Sequence, residues 1–292
     1  WIGSRPISEL TPQELLAVLR RIEARGVPET AHRCRSLCSQ IFRYGIASGR
    51  TDVRDVAADL RGALTEVVGG RYSAETDPTK LPDLLRSIDN YYGHYIVRAA
   101  LKLAPLLFQR PGELRGARWD EIDLENATWT IPIERMKLRT TVKAKRKGEF
   151  HIVPLPRQAV ETLHDLQPLT GQGDLLFPSV RIAPDTRGKN ARPISDNTLN
   201  VALRNMGYSQ EVMTTHGWRA VARTLLDEVL GHNTDAIERQ LAHVVAGPLG
   251  DAYNRAQHLE ERRKMMQTWA DYLDGLKSGA KIIPLRSNDR GK

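Results

Sequence analysis

Apolar residues recur at helical spacing along most of the chain and change to alternation in one short region. "LTPQELLAVLRRIEARG" predicts a first helix, with Thr11 as N-cap, Pro12 at the first helical position, Glu14 closing a capping box and Gly26 as the stop. "PETAHRCRSLCSQIFRYGIASGR" predicts a second helix ending near Gly49. Residues 67–80 carry no apolar period and are rich in Gly, Ser and Thr, the best linker in the chain. Then "LPDLLRSIDNYYGHYIVRAALKLAPLLF" is helical, with a kink expected at Pro105.

The period changes in "ARWDEIDLENATWTIPI", which alternates through Trp119, Ile122 and Leu124, turns near Glu125 and Asn126, and resumes at Trp129 and Ile131. That pattern predicts a β-hairpin, and "FHIVPL" a third short strand. Helices return beyond Pro156, the last being "HLEERRKMMQTWADYLDGLK". No internal repeat is visible. The expected fold class is mainly α with a small antiparallel β-sheet. The expected organisation is a helical domain over 1–76, a linker at 77–80, a second domain over 81–275 and a flexible tail over 276–292.

Composition narrows the function. The 292 residues carry a formal charge of +8 and a pI near 9.6, a balance that favours polyanionic partners. The excess is uneven: through Asp77 there are 11 Lys/Arg against 10 Asp/Glu, leaving +7 to the remainder. Cys34 and Cys38, four apart on a predicted helix, read as helix residues in a reducing compartment. No apolar run is long enough to span a bilayer and no signal peptide is visible, so no membrane is expected. A first residue of Trp rather than Met suggests a chain trimmed at its N-terminus.

Four stretches hold candidate chemistry. In "LLFQRPGELRGARW", Pro111 opens a short helix with Arg110 at its N-terminal edge, where guanidinium and backbone N–H groups can face one anion. Glu113, three residues on, can reach back and brace that end; an exposed arginine beside a capping glutamate is the plainer reading. In "HGWRAVARTLLDE", His216 and Arg219 share a helix face, Arg223 follows one turn later, and Val221, Leu225 and Leu226 mark the buried side. From Arg135 to Lys147 there are seven basic residues and no acidic one. Of these, Arg135, Arg139, Lys143, Lys145, Arg146 and Lys147 read as a solvated loop meeting phosphates. Lys137 differs by lying at the end of the strand, where a backbone ladder could hold it. In "QLAHVVAGPLGDAYNRA", His243 precedes Tyr253 by ten residues across a Gly/Pro-bearing turn. That tyrosine is either packing or a nucleophile.

Together these fragments offer two arginines, two histidines, a lysine and a tyrosine, a set suited to phosphodiester transfer onto a phenol. The pentacoordinate transition state gathers negative charge on its non-bridging oxygens, which two guanidiniums can clamp. A phenol with a pKa near ~10 must lose its proton, and the departing 5′-oxygen needs an acid, a role an ammonium fits. This chemistry asks for no cofactor and no metal.

The chain also resembles the tyrosine recombinases, specifically the integrases of phages and genomic islands. The likeness runs from "TPQELLAVLRRIEARG" through "RPGELRGARWDEIDL", "IPIERMK", "HIVPL", "HGWRAVARTLLDE", "IERQLAH" and "AYNRA" to "RRKMMQTWADYLD", in that order. The resemblance implies roles for Arg110 as first clamp arginine, Lys137 as hairpin acid, and His216 and Arg219 as the His-x-x-Arg pair. It implies His243 as the second histidine, Tyr253 as nucleophile and Glu113 as the brace of the first arginine. Trp218 stands where phenylalanine is expected, keeping an aromatic. The family's usual arm-site-binding N-terminal domain is expected to be missing here. The resemblance further implies a core-binding domain and a catalytic domain gripping double-stranded DNA attachment sites, in a bacterial cytoplasm. It implies cleavage through a 3′-phosphotyrosyl link, a homotetrameric synaptic complex, an accessory DNA-bending protein and an excision (directionality) factor. Rival readings are a type IB topoisomerase and a non-catalytic DNA-binding regulator on the same scaffold. The amphipathic "MMQTWADYL" bears on the first rival, since ring-like assembly needs a helix able to dock on a neighbour, though the same face also suits packing within its own chain.

Overall fold

The computed structural model describes residues 1–50, 52–67, 73–138, 140–179, 192–243 and 258–279. It divides into two compact units, Trp1–Arg71 and Tyr72–Lys292. The division falls before the expected boundary at 76, because Ser73 is built into the second unit: its carbonyl accepts from Thr214 N (3.2 Å).

The first unit is helical. α1 (Pro12–Glu23) starts with the expected capping box, Thr11 and Glu14 each satisfying the other's backbone N–H. α2 (Pro28–Ala47) packs against it. Leu15 and Leu19 of α1 and Phe42 of α2 close a core with Val53, Val56, Ala57, Leu60 and Leu64.

The second unit is built around α4 (Tyr95–Leu107), most of whose side chains are buried. It touches α3 (Leu81–Asp89), α5 (Pro111–Arg115), α7 (Arg157–Thr170), α8 (Thr198–Asn205), α9 (Trp218–Glu228) and the C-terminal α11 (Leu259–Ser278). The helix expected over residues 81–108 is two helices. The break lies at 90–94, where His94 Nδ1 caps Ile96 N (3.3 Å), and Pro105 falls in the last turn of α4 instead of kinking one long helix.

Among the described residues the strands form one antiparallel sheet in the order β1 (Ile122–Asp123), β2 (Thr128–Pro132), β3 (Phe150–Pro154). Trp129 faces Val153 and Ile131 faces His151, which puts Trp129, Ile131 and Val153 in the core. β1 is shorter than the alternation predicts. Trp119 lies in a 3-10 turn (Trp119–Glu121) and donates from Nε1 to Thr170 Oγ1 (3.1 Å). The β2–β3 connection contains a short α6 (Thr140–Lys145).

α11 packs within its own chain. Met265, Met266, Trp269, Ala270 and Leu273 are almost completely buried, and Trp269 Nε1 donates to the Pro105 carbonyl (2.9 Å). Of the two readings open for this apolar face, a neighbour's surface or its own chain, the second is the one found. The tail begins later than residue 276, since α11 runs to Ser278, with Leu276 buried and Lys277 paired to Asp89 and Asp274. Residues 280–292 lie outside the described residues. No described helix is long and apolar enough to cross a membrane.

Candidate active site

The chain leaves α4 through Phe108, which is fully buried and left-handed (φ 41°), and reaches Arg110 as N-cap of α5. Pro111 suits the first helical position, where its missing N–H would go unbonded anyway. Glu113 is 2% exposed, and a carboxylate so buried needs donors. It finds them in Arg110 Nη1 (3.0 Å), Arg110 N (3.2 Å) and Lys137 N (3.4 Å). One carboxylate thus holds the arginine and the start of the lysine's loop. Lys137 is not held by a strand ladder, as its position had suggested. β2 ends at Pro132, a 3-10 turn follows, and buried Met136 with the Glu113 contact fixes the exposed Lys137.

His216 sits in the 3-10 turn leading into α9, and Arg219 in the first turn of that helix. Thr214 caps the turn by accepting from Gly217 N (3.1 Å), while Asn200 Oδ1 accepts from Thr215 N (2.9 Å). A Cβ at Gly217 would run into the Ser73 carbonyl and Ala74, so only glycine fits between His216 and the buried Trp218. Arg219 is 6% exposed and spans three acceptors: Phe108 O (3.1 Å), Leu241 O (2.7 Å) and His243 Nε2 (3.0 Å). Burial, then Arg110, pushes its guanidinium down to about 10, while Glu113 and Glu238 oppose that; it stays charged at neutral pH. The His216 imidazole is held at about 4 by burial first, then by Arg219, Arg110 and Lys137, against Glu113. One imidazole therefore feels both arginines and the lysine.

His243 follows α10 (Thr234–Gln240) after Leu241 and the left-handed Ala242 (φ 51°). Its Nδ1 bonds Glu238 Oε2, and its backbone N donates to Glu238 O (3.0 Å). Arg223 Nε donates to the other oxygen of Glu238 (2.9 Å). Burial works against that carboxylate's charge, but the bonds from His243 and Arg223 outweigh it and hold its pKa below the usual range.

Of the six catalytic candidates, Arg110, Lys137, His216, Arg219 and His243 come together; Tyr253 lies outside the described residues. The expected DNA-contact run divides. Arg135 is a correction: its guanidinium is engaged within the fold, donating to Glu121 Oε1 (2.7 Å) and Oε2 (2.6 Å) and to Glu113 O (2.8 Å). Glu121 is itself buried and bonded by Trp129 Nε1 (2.9 Å), so Arg135 ties β2, the 3-10 turn and α5 together. Lys143 donates to the Glu134 carbonyl (2.9 Å) and Arg146 to Glu149 (2.6 Å), while Lys147 is exposed. Arg139 and the Lys145 side chain lie outside the described residues.

Two residues near the site lie within the quoted "HIVPL" and "IERQLAH" but receive no role from them. His151 is held uncharged, at about 3, by burial first, then Arg262, with Arg110 and Arg219 adding, against a bond to the Gln240 backbone. Its signal was its place two residues before Val153, on the inward face of β3. For Glu238 the signal was its place in "IERQLAH", five residues before His243. Beneath the site, Arg262 of α11 donates to Gln240 Oε1 (3.0 and 2.6 Å) and Ile152 O (2.5 Å), and Gln109 donates to Gln240 O (2.9 Å). These bonds fasten α11 to α10, β3 and the exit from α4.

Comparison with known proteins identifies the family and the fold. Residues 1–63 match the model of the phage integrase central domain and residues 75–259 that of the phage integrase family. The integrase of Enterobacteria phage P4 is 38% identical over 94% of this chain and 61% of its own length. The putative protein IntB of Escherichia coli K12 is 37% identical over 94% of this chain and 68% of its own. The chain thus spans roughly two thirds of these relatives. Among solved structures, a lambda integrase dimer bound to a COC′ core site superposes with a TM-score of 0.56 at 22% identity, over 85% of this chain and 65% of that one. A lambda integrase tetramer on a Holliday junction gives 0.56 at 22%, over 83% and 67%. These superpositions establish the fold: mainly helical, with a small antiparallel sheet.

Proposed function

The chain belongs to the phage integrase family, and from that membership we propose that it is a site-specific DNA strand transferase working through a 3′-phosphotyrosyl intermediate. The observation that carries this reading is geometric: one buried carboxylate, Glu113, holds Arg110 and the Lys137 backbone, while Arg219 bonds both His243 and the carbonyl of Phe108, two residues before Arg110. In the proposed reaction the Tyr253 oxygen attacks the scissile phosphorus. The new bond is phosphorus to phenolic oxygen; the bond that breaks is phosphorus to the 5′-oxygen, which leaves with a proton from Lys137. Arg110 and Arg219 hold the non-bridging oxygens, where charge builds in the transition state. His216, neutral at pH 7, serves as hydrogen-bond partner and proton acceptor instead of a third cation. The freed 5′-hydroxyl of a second strand then attacks the phosphotyrosyl link, so bond energy is conserved without a nucleotide cofactor.

Integration or excision would take two such exchanges, in a homotetramer on paired attachment sites. An accessory DNA-bending protein and a directionality factor complete this reading, which places the protein with DNA in a bacterial cytoplasm. The unit Trp1–Arg71 serves as the core-binding part and the larger unit as the catalytic part. The exposed Lys137 and Lys147 would add to the attraction for a strongly negative duplex.

The test uses a nicked duplex recovered by selection from a random pool, with the nick beside the scissile phosphate so that the short leaving strand diffuses away. A covalent adduct stable to denaturation is expected. Adding a strand with a free 5′-hydroxyl should then release the protein and yield a joined product. Tight binding with no adduct would favour the regulator reading. An adduct that rejoins only its own strand would favour the topoisomerase.

A further inference from the structure

We propose that Glu238 is a positioning residue: it fixes the tautomer of His243 so that Nε2 is the nitrogen presented to the scissile phosphate. The proposal rests on the strand-transfer reading for its purpose, though not for its geometry. A guanidinium offers donors only. Nε2 of His243, 3.0 Å from Arg219 Nη2, must therefore accept, and the single proton of the neutral ring lies on Nδ1. Nδ1 donates that proton to the Glu238 carboxylate. In the opposite tautomer, an N–H would face the N–H of Arg219, and Glu238 would face a bare lone pair. Both contacts would be repulsive.

Glu238 is held on two further sides. Arg223 Nε reaches its second oxygen at 2.9 Å, and the His243 backbone N reaches its carbonyl at 3.0 Å. Ring and carboxylate thus belong to one closed turn at the end of α10. Among the described residues the charged groups bonded to the ring are Arg219 from α9 and Glu238 from α10, with Arg223 of α9 on the far oxygen of Glu238.

The arrangement has a mechanistic consequence. With Nδ1 occupied by Glu238, any proton that His243 gains or loses is exchanged at Nε2. When a phosphate draws Arg219 onto its oxygens, Nε2 is the nitrogen left to face them, and an N–H at that nitrogen is what a non-bridging oxygen accepts from. Arg223, which sequence alone could mistake for the clamp arginine, acquires a role one step back: it holds the residue that holds the ring.

Long-range 1H–15N spectra of the DNA-free protein at pH 8 read the tautomer directly, with His243→Asn identifying the signals. Wild type should show a protonated Nδ1 and a bare Nε2. Glu238→Ala should bring in the Nε2-protonated form, and Glu238→Gln, which keeps one acceptor oxygen, should fall between. Adduct formation on the nicked duplex should drop roughly tenfold to a hundredfold in Glu238→Ala, with duplex affinity unchanged. A wild-type ring protonated at Nε2, or a Glu238→Ala ring that keeps the wild-type tautomer, overturns the proposal. Because the spectra need no DNA, failure of wild type to form adduct would count against strand transfer alone.

Discussion

Arg219 Nη1 lies 3.1 Å from the carbonyl oxygen of Phe108, whose backbone is held in the left-handed region at φ 41°. The other arm of the same guanidinium reaches the carbonyl of Leu241, and the next residue, Ala242, is left-handed too, at φ 51°. An L-residue in that region costs about 1–2 kcal/mol. The fold tolerates two such residues beside the carbonyls that aim the buried arginine. Phe108 is kept in place by its edge-on contact with Trp269, 6.2 Å between ring centroids.

Lysine at position 219 keeps the charge and loses the planar fork, so it cannot reach Phe108, Leu241 and His243 together. Cleavage of the nicked duplex by Arg219→Lys should fall about a hundredfold or more, with duplex affinity changed only a few fold. Near-normal cleavage would pass the role to Arg223.

Glu113 accepts from Arg110 twice and from Lys137 N. Glu113→Ala leaves these donors short of an acceptor and should lower unfolding free energy by about 1–3 kcal/mol. Adduct formation should slow by roughly tenfold to a hundredfold. Glu113→Gln, which keeps an acceptor oxygen, should be milder on both measures. Denaturant titration and single-turnover cleavage check this, and an alanine variant equal to wild type would remove Glu113 from the account.

If Lys137 is the acid, its loss should matter only when the leaving group needs a proton. Lys137→Ala should be slow on ordinary DNA and approach the wild-type rate on a 5′-bridging phosphorothiolate, whose thiolate leaves unprotonated. Ala at Lys143, Lys145 or Lys147 should weaken binding in a salt-dependent way and show no such rescue. Rescue at one of those positions instead would move the acid along the loop.

Burial and its cationic neighbours Arg262, Arg110 and Arg219 hold His151 at about 3, well below an unfolded imidazole near ~6.5. A group depressed in the folded state is stabilising above the unfolded value. That contribution is lost as pH falls through the window from ~6.5 toward 3, where the unfolded chain binds the proton first. The fall in unfolding free energy between pH 7 and pH 5 should therefore be smaller in His151→Gln than in wild type. An unchanged fall would mean that His151 is not held neutral.

Much of this was legible in the chain. Thr11 and Glu14 form the capping box their spacing implies, the alternation at Trp129 and Ile131 marks β2, and "FHIVPL" marks β3. The illegible parts have physical causes. Left-handed Phe108 and Ala242 carry no glycine to announce them. Arg135 looks like any member of a basic run until Glu121, fourteen residues earlier, folds beneath it. The period of β2 does not say where the strand ends, so Lys137 reads as a ladder residue although β2 stops at Pro132. Glu238 gained meaning only when the turn at Ala242 brought His243 back onto it. The apolar face of α11 could not reveal by periodicity whose core it fills.

The central claim is that a phenol of this chain becomes covalently joined to DNA, and the most direct measurement is to locate the bond. Adduct trapped on the nicked duplex is digested with protease and nuclease, and the peptide carrying the residual nucleotide is sequenced by mass spectrometry. The nucleotide should be found on Tyr253, and Tyr253→Phe should bind the same duplex yet form no adduct. A nucleotide on another residue such as Tyr272, or an undiminished adduct in Tyr253→Phe, would contradict the account.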